Sequence, residues 1–333
     1  MPRRPTPLPA ELGAVFRTAD AGAAGVSRGR LAAADLDHPY RGIRVRRELV
    51  QGSGAQREQP TPDDRAREQI LARVAAHCPL LPDHAFYIGS AAIALHGLPF
   101  ADAHHALTDD LDVAVFAPHR AFRRAGIRSL QVQPGLARTT VRRGVRVASP
   151  ATTWALLGRE RSERELVHLG DAIVRVPRDD RERRHPELQS ASPAALRSAL
   201  DAGRRIGGDR LRRALARIRE GSMSPLETDW RLNLEGTDLP DPILDIEIRT
   251  REGRLLGISD GAFPEFAVAV EIEGDHHRSS RRQWNRDIEK YAAYAAIGWE
   301  TVRLTSAHIR GPGHHDVDLV RDALVRRGWR AAR

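Results

Sequence analysis

The chain has 333 residues and a formal net charge of +9, with a pI near 10.8. Its length allows two or three domains, each burying a core, and its charge favours polyanionic partners over neutral small molecules, although arginine-rich coding is a plainer source of such charge. No apolar run reaches the roughly 18 residues that span a bilayer, the N-terminus lacks a secretory apolar stretch, and Cys78 is the only cysteine; a soluble cytoplasmic chain without membrane helices or disulfides is expected.

The basic residues are 52 arginines and a single lysine, Lys290. Lysine loses its proton when partly buried whereas arginine does not, so this position stands out.

In chain order, "ELGAVFRTADAGAAGVSRGRLAAADLDHPYRGIRVRR" predicts two short helices, a turn at Gly25 and a basic hairpin. Thr18 and Ser27 are placed to cap the helices, and "HPYRGIRVRR" alternates around a glycine. The pattern looks like a winged helix-turn-helix, whose second helix enters the major groove while the wing follows phosphate. Arg28 and Arg30 would then face base edges, with Tyr40, Arg41 and Arg44 on the wing. Residues 1–59 carry ten arginines against six acids, in keeping with that reading; a small solvated helical hairpin is the alternative.

The polar stretch 51–64 reads as a linker. Beyond it "REQILARVAAHC" predicts a helix, "LDVAVFAP", "SLQVQP" and "TTVRRGVRVASP" predict strands, and helices follow near 151–203. "GSAAIALHG" followed by "TDDLDVAV" resembles the nucleotidyltransferase signature, in which a Gly-Ser turn holds phosphate and strand carboxylates hold Mg²⁺. Two features argue against it: residues 113–159 contain no Asp or Glu to supply a third carboxylate, and the Gly-Ser pair precedes Asp110 by about twenty residues. The expectation is an apolar helix at 91–95, with Asp110 and Asp112 exposed at a strand entrance.

From residue 224, "SPLETDWRLNL" predicts a helix with Ser224 and Glu227 as a capping box. "ILDIEIRTREGRLLGISDGAF" predicts two antiparallel strands about a hairpin turn, and "AVAVEIEG" a third. A long amphipathic helix over "RRQWNRDIEKYAAYAAIG", a strand "WETVRLT" and a closing helix at 314–327 complete the pattern. Asp260 ends one strand and, ten residues later, Glu271 and Glu273 stand at i and i+2 of the next, on one face. Carboxylates converging there repel each other unless a divalent cation neutralises them, and Mg²⁺ or Mn²⁺ suits oxygen donors. His276 and His277 follow the strand, where imidazole can orient or deprotonate a water. Asp287 and Lys290 share a helix face.

Asp, ten residues, then Glu-x-Glu matches the skeleton of the PD-(D/E)xK nucleases, with glutamate where those enzymes place lysine. Together with "SPLETDWRL", "GISDGAFPEFAVAVEIEGDHHR" and "RDIEKYAAYAAIGWETVRLT", residues 222–310 resemble the DUF559 family, whose fold is similar to the very-short-patch-repair endonuclease. Upstream, "FRTADAGAAGVSRGRL", "IALHGLP" and "GVRVASPATTWALLG" look like the AbiEi antitoxin type of regulator. The resemblance implies a mixed α/β (α+β) protein: a winged helix-turn-helix over 1–59, an AbiEi-like domain over 60–203, and a restriction-endonuclease-like sheet flanked by helices over 204–333. It implies Asp260 and Glu271 as metal ligands, Glu273 in the place of the motif lysine and Glu227 as a helix acid directed toward the metal, with Lys290 placed to reach in from the next helix instead.

The function expected is Mg²⁺-dependent hydrolysis of double-stranded DNA, with no membrane partner. The alternative is a catalytically silent AbiEi-like regulator or antitoxin that binds DNA or a toxin protein. Plainer readings exist for each residue: Glu271 and Glu273 as a solvated face shared with Ala267 and Ala269, His276 and His277 as loop residues, Asp287 with Lys290 as a helix ion pair.

Overall fold

The computed structural model describes residues 5–47, 60–100, 107, 110–179, 181–274, 281–313 and 315–331. Among them it is a mixed α/β protein with twelve α-helices and three sheets. It divides into two compact units, Met1–Arg161 with Ala195–Gly208, and Ser162–Ala194 with Asp209–Arg333. Each unit is made of two segments of the chain. Residues 51–59 of the expected linker lie outside the described residues. No helix of the described residues is long and apolar enough to cross a membrane.

The first unit opens with β1 (Val15–Arg17), α1 (Thr18–Ala23), α2 (Arg28–Leu31), β2 (Leu36–Asp37) and β3 (Ile43–Arg46). The strands form an antiparallel sheet in the order β1-β3-β2 over a core of Phe16, Ala21, Leu31 and Leu36. Ser27 caps α2 as expected, its hydroxyl accepting from the Arg30 amide at 3.2 Å. Thr18 does not cap; it is the first residue of α1, and its amide donates to the Gly42 carbonyl at 2.8 Å, so strand pairing sets that helix start.

Next come α3 (Pro62–His77), β4 (Ala85–Tyr87), α4 (Gly89–His96), β5 (Leu111–Phe116), β6 (Ile127–Val132), β7 (Thr139–Arg142), β8 (Val145–Ala148) and α5 (Pro150–Leu157). The sheet order is β6-β5-β4-β8-β7, parallel at β5/β6 and β4/β8 and antiparallel at β4/β5 and β7/β8. Helix α4 is buried at seven of its eight residues, as its apolar run predicts. Asp112 is a correction. It is buried, not exposed, and a Cβ at Gly89 (φ +57°) would overlap its carboxylate. Antiparallel pairing of β4 with β5 brings the Gly-Ser turn to Asp112 despite their separation in sequence. Arg128 already neutralises that acid, with Nε donating to Oδ1 at 2.5 Å, and bridges to Glu160 at 3.2 Å.

Helix α6 (Glu163–Val174) belongs to the second unit; α7 (Pro193–Asp201) and α8 (Gly208–Arg217) straddle the divisions. Then follow α9 (Pro225–Leu234), β9 (Ile243–Arg249), β10 (Leu255–Phe263), β11 (Val268–Glu273), α10 (Arg281–Ala296), β12 (Glu300–Thr305), α11 (Ser306–Arg310) and α12 (His315–Arg326). Strands β9, β10 and β11 form the expected antiparallel meander, and β12 joins β11 in parallel, which requires the α10 crossover. Alternation along β11 sorts two layers. Val268 and Val270 pack with Leu226 and Trp230 of α9 and with Val320 and Leu324 of α12, while Ala269 packs with Tyr294 of α10.

Arg231 on α9 is buried and donates to Asp171 of α6 at 2.8 Å, with side-chain exposures of 7% and 1%. Removing one member of such a pair leaves an uncompensated buried charge, at a cost of about 3–5 kcal/mol. Asp171→Ala is predicted to lower stability by about that much, read as a lower urea midpoint at unchanged m. A loss under about 1 kcal/mol would mean that Arg231's weaker partners, Ser222 at 3.4 Å and Glu235 at 3.3 Å, suffice.

Candidate functional site

The β10–β11 ladder runs from Phe263↔Val268 to Gly261↔Val270 and ends there. Beyond it side chains replace ladder bonds. The Ser259 hydroxyl reaches the Gly261 and Val270 carbonyls at 2.9 and 3.0 Å, and Asp260 Oδ2 accepts from the Ile272 amide at 2.6 Å. A carboxylate thus takes an amide that a paired strand would have taken, and the fork carries Asp260 on one prong and Glu271 on the other.

Glu271 is 5% exposed and Ala269 fully buried, so this face is packed; the solvated-strand reading fails. Glu271 Oε2 accepts from Lys290 Nζ at 2.7 Å, and Nζ also donates to the Ile258 carbonyl at 3.3 Å. Among the described residues Glu271 Oε1 is buried without a hydrogen-bond partner. The lysine stem lies in a slot made by Gly257, where a Cβ would stand 2.7 Å from Lys290 Cδ and 2.9 Å from the Tyr294 hydroxyl. The rings of Tyr291 and Tyr294, 5.1 and 6.0 Å from Nζ, flank the ammonium. Lys290 therefore turns onto the sheet; Asp287, one turn earlier on α10, is half-buried and its charge is felt by Tyr291 and Arg303.

Glu227 approaches from α9. The Ser224 hydroxyl accepts from the Glu227 amide at 3.2 Å, but the Glu227 carboxylate accepts from the Met223 amide at 2.7 Å, so only half of the expected capping box forms. Burial, then the charge of Asp260, pushes Glu227 up to about 8. The same two causes push Glu271 up to about 7 against the pull of Lys290. Asp245 adds to the field on Glu227. It is a buried β9 residue at φ +48°, gripped by Arg178 at 2.8 and 3.0 Å and by Arg184 at 3.3 Å. Sequence reasoning missed Asp245, Arg178 and the Gly257 slot, since Arg178 lies 67 residues upstream of Asp245 and no local pattern links them.

Glu273 points to the same side as Glu271 and is taken by Arg303, at 3.0 and 2.8 Å, and by the Tyr291 hydroxyl at 3.2 Å. Lys290 serves Glu271, and arginine serves Glu273. His276 and His277 lie outside the described residues. In the first unit, Arg30 donates to both Asp35 oxygens at 2.9 and 2.7 Å, Arg44 donates to the Leu31 and Ile43 carbonyls at 2.6 and 2.8 Å, and Tyr40 is buried edge-on to His77. These three are engaged within the fold, whereas Arg28 and Arg41 are exposed.

Among the described residues no three His, Cys, Asp or Glu side chains are grouped to hold a metal ion. Mg²⁺ asks for less, one or two protein carboxylates supplemented by waters and substrate phosphates. Asp260 and Glu271 fit that demand. Leaving a buried acceptor unpaired costs about 1–3 kcal/mol, and a cation would relieve both the unpaired Oε1 and the repulsion that raises Glu271. No protein-family model, curated protein or solved structure matches the chain.

Gly257→Ala is predicted to cost about 1–3 kcal/mol through overpacking, and Gly257→Ala/Lys290→Ala to recover most of that. Urea denaturation of the double-mutant cycle checks it, and strictly additive costs would put Lys290 outside the slot. A second expectation concerns pH. Between the ordinary glutamate value of 4.5 and about 7 to 8, the native state holds protons on Glu271 and Glu227 that the unfolded chain has released. Without divalent cation, stability should therefore fall as pH rises through that window, with a shallower fall in Glu227→Gln; a flat profile in both proteins would contradict the assignment.

Proposed function

We propose that the second unit is a metal-dependent endonuclease acting on double-stranded DNA. The observation that carries this reading is the β10–β11 fork, where Asp260, Glu271, Lys290 and Glu227 come from four separate elements. The order helix α9, meander β9–β11, helix α10, parallel strand β12 supports a PD-(D/E)xK, DUF559-like unit. In the first unit, the order β1, α1, α2, β2, β3 supports the winged-helix, AbiEi-like reading.

Asp260 and Glu271 would hold Mg²⁺ or Mn²⁺, which when bound polarises the scissile phosphate and lowers the pKa of a bound water. Lys290, fixed by Glu271, the Ile258 carbonyl and two tyrosine rings, presents a preorganised positive charge for the phosphoryl oxygens as negative charge builds there. Glu227 is held largely neutral at physiological pH, so it adds little further repulsion beside Asp260.

A second reading, a silent regulator or antitoxin binding DNA or a toxin protein, is favoured by one observation: Lys290 on Glu271 and Arg303 on Glu273 neutralise two of the carboxylates within the fold itself. Plasmid nicking in Mg²⁺ or Mn²⁺ separates the two. Wild type is expected to nick, and Asp260→Ala, Glu271→Ala and Lys290→Ala each to lose on the order of 10²–10³ in rate. Equal cutting by all four proteins would place the chemistry elsewhere; retained DNA binding without cutting would favour the regulator.

A further inference from the structure

The whole excess positive charge of the chain lies in one stretch. Residues 113–159 hold nine arginines and no acid, and the rest of the chain holds 44 basic residues against 44 acidic ones. Arginine-rich coding alone would spread the excess and would not exclude carboxylates from so long a run. In the fold this stretch supplies β6, β7, β8 and α5, much of the five-stranded sheet and its flank.

Two of the nine are accounted for internally: Arg128 pairs with Asp112 and Glu160, and Arg159 with Glu160. Arg120, Arg123 and Arg124 precede β6, at the sheet edge opposite β7, about 19 Å away at four strand spacings. The remaining four, Arg138, Arg142, Arg143 and Arg146, lie along the β7–β8 hairpin. All four are exposed, and among the described residues none is paired with a carboxylate. The register Val141↔Arg146 and Arg142↔Val145 sets Arg146 on the outer face beside Val141, itself 61% exposed, with Arg142 next to the tip.

The turn is Arg143 at φ +49° and Gly144 at φ +77°. Asparagine or glycine is the low-cost choice at the first of these positions, so the cation is not there for the sake of the turn. Four unpaired guanidinium groups on one two-stranded ribbon repel each other, and a polyanion of regular charge spacing relieves that repulsion. A two-stranded ribbon also has the cross-section that the B-DNA major groove admits.

We infer that the β7–β8 hairpin is the chain's duplex-DNA contact, with Arg138, Arg142, Arg143 and Arg146 meeting phosphates. The inference rests on the DNA-binding reading above and moves the principal contacts away from the wing, where Arg30, Arg44 and Tyr40 are engaged internally.

The test is fluorescence anisotropy of the full chain with a labelled DNA duplex across a salt series. Wild type is compared with Arg138→Gln/Arg142→Gln/Arg143→Gln/Arg146→Gln, with the tip pair Arg142→Gln/Arg143→Gln, and with Arg28→Gln/Arg41→Gln. Each phosphate contact contributes about 0.9 to the slope of log K against log salt. The quadruple variant should lose about three to four units of slope, the tip pair about half of that, and Arg28→Gln/Arg41→Gln none. Unchanged slopes in both hairpin variants overturn the hairpin while leaving DNA binding intact. Wild type that shows no salt-dependent duplex binding overturns the DNA-binding reading and the hairpin with it, and tighter binding of an RNA duplex of the same sequence overturns DNA as the partner.

Discussion

Helix α9 is buried at eight of its ten positions, and three of those hold ionisable side chains: Glu227, Asp229 and Arg231. Buried charge without a partner is expensive enough to unfold a domain of ordinary stability, so the surroundings of α9 are dictated by its side chains. Asp229 collects Arg164 at 2.5 Å, His168 at 2.9 Å and Arg310 at 2.7 Å, and Asp171 receives Arg231 and the Thr228 hydroxyl, each at 2.8 Å. Most of these partners sit on α6, which explains why a helix that precedes the whole C-terminal pattern in sequence folds as part of its unit.

The same helix separates scaffold from site. Burial acts on Asp229 and Glu227 alike, but the hydrogen bonds and charges that His168, Arg164 and Arg310 direct at Asp229 hold it well below the usual carboxylate range, whereas Glu227, with Asp260 beside it, is pushed well above. One acid is fully neutralised within the fold and the other is left short of positive charge. Perturbation by burial together with a like charge is the pattern found where chemistry is done, and here it coincides with the fork at which the β10–β11 ladder ends.

Much of the second unit is legible in the sequence because its elements have strong local periods. The alternation of 267–273, the turn between β9 and β10, and the long amphipathic α10 all emerge where their patterns place them. The approach of Lys290 to Glu271 is legible too, since a lone lysine on the helix after the strand has the reach to return to it. The first unit is less transparent. Tyr40 in the basic hairpin and Arg30 on the helix before it look like surface groups, yet one is core and the other is held in an ion pair with Asp35, because the elements there are short and side-chain fate depends on what packs over them. Asp112 misleads for a related reason: distance along the chain says nothing of distance across antiparallel β4 and β5.

The sequence by itself determined the element types of the C-terminal unit, the shared face of Glu271 and Glu273, and the run of residues without acids that holds the net charge, because each is a matter of period or count. Only the tertiary structure decided which charges are neutralised. It set Lys290 on Glu271 and Arg303 on Glu273, and it left the arginines of the β7–β8 hairpin without carboxylate partners among the described residues. Pairing of charges depends on distances between segments far apart in the chain, and those exist only once the sheets and helices have packed.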